Sequence, residues 1–408
     1  MRFASFFWLL FATLATAQAC AGESLQLERV VLLYRHGVRT PLPGEIQLNE
    51  VNGKPWPTWT QPPGELTPHG AVGARQMGRY DRQRLAAAGL FSADGCPAAS
   101  QTWFWANTDQ RTIASAQALA EGFAPGCRID IGHLPQGSED PLFHPIEAGA
   151  TAWNARDSVA SITRSTGGPD ILTAAHTNAL SVFTEVMGCG TQHDPDWCHP
   201  DHWHGNLTVS TDTKHMVLTG PIATTSGTAE VMLMAYAEGR PMHDVGWGRV
   251  TSSQLQQLSQ LHALLFGIYA HPDYMAERVA SVMSRRIIHL LQDESAPKLS
   301  VFVGSDNNIV ALASVLGLHF LMPGYAEDDP PIGGALGIEL WRNRMDGKRY
   351  VRVIYQAQSL AQLRALDRQR TVPAFVTLHL AGCPDDGGGR CSLEAMIPAL
   401  QKAAALAR

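Results

Sequence analysis

Apolar residues fall along this chain in short unbroken runs, separated by longer stretches in which apolar and polar positions mix at helical spacing. Val30-Val31-Leu32-Leu33 is short, β-branched and continuous, as a strand buried on both faces should be; Trp103-Phe104-Trp105-Ala106 and Leu299-Ser300-Val301-Phe302-Val303 are further strand-like apolar runs. Strand-like runs also lie near Ile171 and Val351, while Ala71 to Ala88, Ile113 to Gly122 and Ile309 to Leu316 read as helices. This alternation predicts an α/β sandwich. The middle of the chain, residues 140–255, reads as more helical and loop-rich, so a second and smaller lobe is expected there. No repeat, coiled coil or basic nucleic-acid patch is visible.

The first residues change the picture of where the protein works. Met1 to about Ala19 carries Arg2, an apolar core through Phe6-Phe7-Trp8-Leu9-Leu10-Phe11 and the small-residue ending Ala17-Gln18-Ala19. That is the pattern of a secretory leader rather than a membrane span. Cys20 as a lipidated first residue is the rival reading, but a leucine is expected three places before such a cysteine and Ala17 stands there.

About 390 residues remain after the leader, and 45% of the chain is apolar, enough for a substantial core and more than one simple domain. The net charge of -6 becomes -7 without Arg2, so the body of the protein repels anions and any attraction must be local. With 16 histidines against 37 acidic residues, acidification makes the surface less negative and predicts an acidic optimum for anionic substrates. Six cysteines lie beyond Cys20; six allow 15 connectivities and spacing selects none, but their presence agrees with an oxidising compartment. There is no Cys-x-x-Cys pair. Residues 193–204 hold four histidines and three aspartates, which invites a metal reading; the reading preferred is a polar loop whose side chains titrate near the working pH.

The chemistry concentrates in Arg35-His36-Gly37-Val38-Arg39-Thr40-Pro41, placed where the first apolar run ends and a strand would open into a loop. Sites in α/β proteins lie at such strand ends. Two guanidiniums around an imidazole press its pKa down, keep the ring neutral and nucleophilic, and clamp an anionic oxyacid. An Arg-His-Gly triplet alone is common, but here Gly37 permits close backbone approach and Pro41 stiffens the exit. The full string resembles the signature of the histidine acid phosphatases, the branch of the histidine phosphatase superfamily that contains bacterial phytases and periplasmic glucose-1-phosphatases. Similarity continues at Trp56-Pro57-Thr58-Trp59, Leu66-Thr67-Pro68, Asp140-Pro141-Leu142-Phe143, Gly246-Trp247-Gly248-Arg249 and Pro331-Ile332-Gly333-Gly334-Ala335.

The resemblance implies a phosphoglycerate-mutase-like α/β sandwich over residues 20–139 and 256–408, a leader over 1–19, and a smaller, mostly α-helical domain inserted at 140–255. It implies a periplasmic or secreted acid phosphomonoesterase that works through a phosphohistidine, phytase-like in motif and so directed at myo-inositol hexakisphosphate. The alternatives are a glucose-1-phosphatase and a weakly active or inactive phosphate-ester binding protein. His36 would be the nucleophile, with Arg35, Arg39 and Arg111 holding the phosphoryl group. Arg111 sits in Asp109-Gln110-Arg111-Thr112, which by itself reads as a helix start with Asp109 as N-cap. Disulfides are implied between Cys96 and Cys127, Cys189 and Cys198, and Cys383 and Cys391. The partner would be a small-molecule phosphate monoester, with no nucleic acid, membrane, metal or other cofactor, because three arginines can neutralise the developing charge; the protein would be a monomer or homodimer.

One position departs from the family pattern. Where that pattern reads Gly-His-Asp, this chain reads Gly304-Ser305-Asp306. Asp306 keeps the place of the general acid, while Ser305 can donate a hydrogen bond but carries no charge. Charge-assisted bonds contribute about 1.5 to 3 kcal/mol against about 1 for neutral ones, so a deficit on the order of tenfold is expected. Asp306 would also need a pKa raised above its reference of about 3.9, through burial and bound phosphate, to act as an acid. For substrate choice, Leu42 and Pro43 resemble the sugar-phosphatase side, Lys54 and His271 could offer cationic contacts, and Glu230 could restrict bulky polyanions by repulsion.

Overall fold

The first apolar run forms the centre of the molecule. The computed structural model describes residues 25–408 except 47, 50, 52, 192–193, 200–201, 367–371 and 384–387; the leader and Cys20 lie outside the described residues. In chain order the described strands are β1 (Leu25–Arg35), β2 (Thr102–Ala106), β3 (Ile131–Gly132), β4 (Asn206–Val209), β5 (Met216–Thr219), β6 (Leu299–Gly304), β7 (Ala335–Asn343), β8 (Arg349–Ala357), β9 (Ala374–Leu378) and β10 (Arg390–Ser392). A mixed eight-stranded sheet runs β10-β8-β7-β1-β6-β2-β3, with β9 also on β8, and β4 and β5 form a separate hairpin.

The alternation of side chains along β1 explains why the sheet is sandwiched. Val30, Leu32 and Tyr34 face one side with Leu299, Val301 and Val303 of β6, where they meet Met77 and Leu85 of α1 (Pro68–Ala87) and Ile113 and Leu119 of α2 (Gln110–Phe123). Val31, Leu33 and Phe302 face the other side. Two helices pass backbone to backbone on the first face: a Cβ added at Gly78 of α1 would lie 2.0 Å from the Leu119 carbonyl oxygen, and one at Gly122 of α2 1.9 Å from that of Arg75. Only glycine allows this approach, and it fixes α2 against the sheet.

Between β3 and β6 come α3 (Ala155–Thr166), α4 (Pro169–Ala175), α5 (Thr177–Met187), α6 (Pro221–Ala237), α7 (Ser252–Tyr269) and α8 (Asp273–Val279), with the hairpin β4–β5. Phe183 of α5, Met232 and Leu233 of α6 and Leu255, Leu258 and Leu261 of α7 share one apolar cluster with Val38 and Ile332. Thus α7 runs across residue 255, and this cluster reaches to within two residues of His36. The far face of the sheet is covered by Ile287 of α9 (Ser281–Gln292), Leu312 of α10 (Asp306–Val315) and Leu400 of α12 (Leu393–Ala404), while α11 (Leu360–Ala365) packs on α6.

The strand expected near Ile171 is a helix. Ile171 lies in α4 and is 60% exposed. Gly167 and Gly168 turn the chain with φ of 78° and 91°, and Pro169 then supplies a helical φ at the first position, where its missing N–H has no cost. A two-residue apolar run is too short to outweigh that signal.

Cys96 bonds Cys127, Cys189 bonds Cys198 and Cys383 bonds Cys391, each closing a loop for about 2 to 4 kcal/mol. In the described part of the histidine-rich segment, His199 Nε2 is 3.0 Å from the Asp194 carbonyl oxygen and His202 Nδ1 3.3 Å from Asp196. Among the described residues the one group of potential ligand atoms close enough to share an ion is Cys189, Asp194 and Cys198. Both sulfurs are in a disulfide, which does not fit a thiolate site. No helix among the described residues is long and apolar enough to cross a membrane.

Candidate active site

Three neighbouring parallel strands end side by side and bring separate sequence motifs together. Arg35 is opposite Gly304 across β1 and β6, and Ala106 is opposite Val303 across β2 and β6. The His36 N–H donates to the Gly304 carbonyl at 3.1 Å, the Asn107 N–H to that of Val303 at 2.9 Å, and the Gly333 N–H to that of His36 at 3.0 Å. The start of α2 therefore delivers Arg111, and the start of α10 delivers Asp306, to the mouth of β1. Ser115 locks the junction: its hydroxyl accepts from Gly37 N–H at 3.0 Å and donates to the Arg111 carbonyl at 2.7 Å. A Cβ at Gly37 would press to 3.0 Å from both the Gly70 carbonyl oxygen and Leu66 Cδ1, so a side chain there would force the start of α1 to give way.

His36 is 2% exposed. Its Nδ1 lies 2.9 Å from the Gly37 carbonyl oxygen, so that nitrogen carries the hydrogen and Nε2 keeps its lone pair. Burial, then the charges of Arg111, Arg39 and Arg35, hold the ring well below its ordinary pKa of 6.5. A neutral imidazole keeps the Nε2 lone pair that a nucleophile needs, and a depressed pKa preserves that form as pH falls through 6.5. The acid limb of a pH profile of kcat/KM should therefore lie well below the ordinary histidine range; half-loss near 6.5 would show that His36 is not held neutral.

The three arginines are each anchored by a carboxylate. Arg35, buried completely, donates through Nη2 to Glu230, lies 3.2 Å from Asp306 Oδ2, and donates through Nη1 to the Pro330 carbonyl at 2.6 Å. Arg39 makes a two-pronged pair with Glu45 at 2.7 and 2.6 Å, and Arg111 Nη2 donates to Asp109 at 2.9 Å. Asp109 opens α2 without a side-chain capping bond; its carboxylate serves Arg111 instead. Among the described residues the Nε–H groups of Arg35, Arg39 and Arg111 are buried with no hydrogen-bond partner. Arg75 and Arg84 share that feature, but only these three converge electrostatically on His36.

Asp306 differs from expectation. Burial pushes its carboxyl up, but Arg35, then His262 and His36, outweigh burial and hold it well below the usual carboxylate range. In the ligand-free protein it is ionised. The Ser305 hydroxyl donates to Asn308 Oδ1 at 3.1 Å while the Ser305 N–H donates to the same oxygen at 3.0 Å, closing the first turn of α10. Glu230 is 2% exposed and turned onto Arg35, so its charge is neutralised inside the site rather than displayed at a pocket wall. Leu42 lies over Gly64, where an added Cβ would be 2.7 Å from Leu42 Cδ2 and 3.8 Å from Arg111 Nη1. Lys54 is exposed, and His271 faces Ser314 and Asp328 at 2.9 and 3.5 Å. Sequence reasoning missed Ser115, Glu45, His262 and Asp329, which no motif flags.

Comparison with known proteins gives the family. Residues 26–356 match the family model of the histidine phosphatase superfamily (branch 2). The chain is 32% identical to phytase AppA of Escherichia coli strain K12, covering 94% of this chain and 95% of that protein. It is 29% identical to a glucose-1-phosphatase of Providencia rettgeri, covering 97% and 96%. A solved structure of Hafnia alvei phytase in complex with tartrate superposes with a TM-score of 0.85 at 30% identity, over 93% of this chain and 97% of that one. The chain belongs to branch 2 of the histidine phosphatase superfamily.

Proposed function

We propose that this histidine acid phosphatase hydrolyses phosphate monoesters in the periplasm or outside the cell, with inositol polyphosphates of the phytate class as its substrates. The observation that carries the reading is the bare Nε2 of His36 among three arginines whose Nε–H donors have no partner among the described residues. A phosphate entering there accepts those donors, and Nε2 attacks phosphorus as the ester oxygen departs on the side of Asp306. Water then attacks the phosphohistidine with Asp306 as base, releasing phosphate and restoring the ring. The phytate class is supported by the Gly37-Val38 form of the signature and by likeness to phytases along the chain. The apolar leader and three disulfides support the location.

The test is phosphate release by the mature protein at acidic pH from myo-inositol hexakisphosphate, glucose 1-phosphate and p-nitrophenyl phosphate. The expected result is the highest kcat/KM on myo-inositol hexakisphosphate. A preference for glucose 1-phosphate would overturn the substrate class, and no release above a His36→Ala control from any of the three would overturn the enzyme.

A further inference from the structure

An ionised Asp306 leaves the departing alkoxide without an evident proton, and the structure offers a source. His262, on α7, is 6% exposed. Its Nδ1 is 2.6 Å from Asp329 Oδ1 and 3.7 Å from Glu230 Oε2, and its Nε2 is 3.5 Å from Asp306 Oδ2. Asp329 is itself held by the Ser259 hydroxyl, one turn earlier on α7, and the ring edge packs on Phe266 with centroids 5.0 Å apart. Both ring nitrogens thus face carboxylate oxygens. A neutral imidazole has one N–H and one lone pair, and a lone pair aimed at a carboxylate is repelled; an imidazolium satisfies both contacts.

We propose that His262 is the proton store of the site, a positioning residue that supplies Asp306 with the proton the leaving alkoxide takes. The inference rests on the phosphomonoesterase reading and adds a component to it. In the free enzyme the Nε2–H of His262 and the Arg35 guanidinium together hold Asp306 as a carboxylate. A bound phosphate dianion draws on Arg35 and raises the proton affinity of Asp306. The proton then moves from Nε2 to Oδ2, leaving neutral His262 and protonated Asp306, and the ion pair at 3.5 Å tightens into a hydrogen bond as catalytic contacts do on substrate binding.

As the P–O bond breaks, Asp306 gives that proton to the alkoxide and becomes a carboxylate again. In the second half-reaction Asp306 takes a proton from the attacking water and passes it to His262, so the store is refilled and no co-reactant is consumed. The groups facing His262 are Glu230 from α6, Asp329 from the loop before β7 and Asp306 from α10, with Arg35 behind the carboxylates. Burial opposes the charged ring, but Glu230 and Asp329, with the bonds to Asp306 and Asp329, raise its pKa to about 10.

Two substrates separate this role from a structural one: p-nitrophenyl phosphate, whose leaving group departs unprotonated, and glycerol 2-phosphate, whose alkoxide needs a proton. His262→Gln is expected to lower kcat/KM on glycerol 2-phosphate by about 100-fold or more and on p-nitrophenyl phosphate by less than about fivefold. Asp329→Asn, which removes the anion behind the ring, should give the same split at about tenfold, and it decides the matter alone should His262→Gln fail to fold. Equal losses on the two esters, or no loss on glycerol 2-phosphate, would overturn the proton store while leaving the phosphatase standing. Absence of wild-type turnover on both esters would overturn the phosphatase reading and this proposal with it, and turnover of p-nitrophenyl phosphate alone would overturn this proposal.

Discussion

His36→Ala is expected to remove turnover on every phosphate monoester, with a fall in kcat of at least about 10⁴-fold. The His36 ring lies within the field of all three arginines and is the attacking group in the proposed reaction, so its replacement leaves water to attack, poorly placed behind the phosphate. The arginines keep their carboxylate anchors in the variant, because none of those bonds involves His36. Inorganic phosphate should therefore still bind within a few-fold of wild-type affinity by calorimetry. Retention of turnover to within about 100-fold of wild type would mean that another group attacks phosphorus.

Arg35→Met is expected to have the largest effect on folding. Removing the guanidinium strands Glu230 and Asp306 close together in the interior, where breaking one side of a buried pair costs about 3 to 5 kcal/mol. That is a large part of the ~5–15 kcal/mol that typically holds a domain folded. The deficit has a definite pH dependence. Arg35 is the largest force lowering the Asp306 pKa, and a depressed carboxyl contributes stability that is present above its unfolded pKa and lost as pH falls through its folded one. The variant should accordingly be weakest against wild type at neutral pH, and the gap should narrow as the medium is acidified through the carboxylate range. Adding Glu230→Gln should recover much of the stability and none of the activity. Denaturant melts of the two variants would check this; an Arg35→Met protein as stable as wild type at neutral pH would mean that the pair carries no net structural weight.

How much of this was legible in the sequence depends on whether the signal is local. Strands β1, β2 and β6 announce themselves by short apolar runs, and Arg35, His36 and Arg39 are readable because one strand end carries all three. Arg111 and Asp306 were recoverable only beside that first motif, since each alone is an ordinary helix start. Ile171 was misread because a two-residue apolar run says less than the Gly-Gly-Pro that precedes it. The error over Asp306 is more instructive. Burial does push its pKa up, as expected; the reversal comes from Arg35 and from His262 on α7, both distant in sequence, and no local pattern marks a histidine in an apolar helical stretch as a charged one. Glu45 and Asp329 were invisible for the same reason, since a carboxylate outside any motif becomes a partner only when the folded chain brings it to Arg39 or His262.

The central claim is that the phosphoryl group passes through His36. The direct measurement is rapid quench into alkaline detergent of mature protein mixed with ³²P-labelled substrate, followed by digestion and peptide mapping. The account predicts label on the peptide containing His36, stable to alkali and lost in acid, formed within the first turnover and missing from His36→Ala. Steady phosphate release with no label on that peptide at any time, or label on another residue, would contradict it.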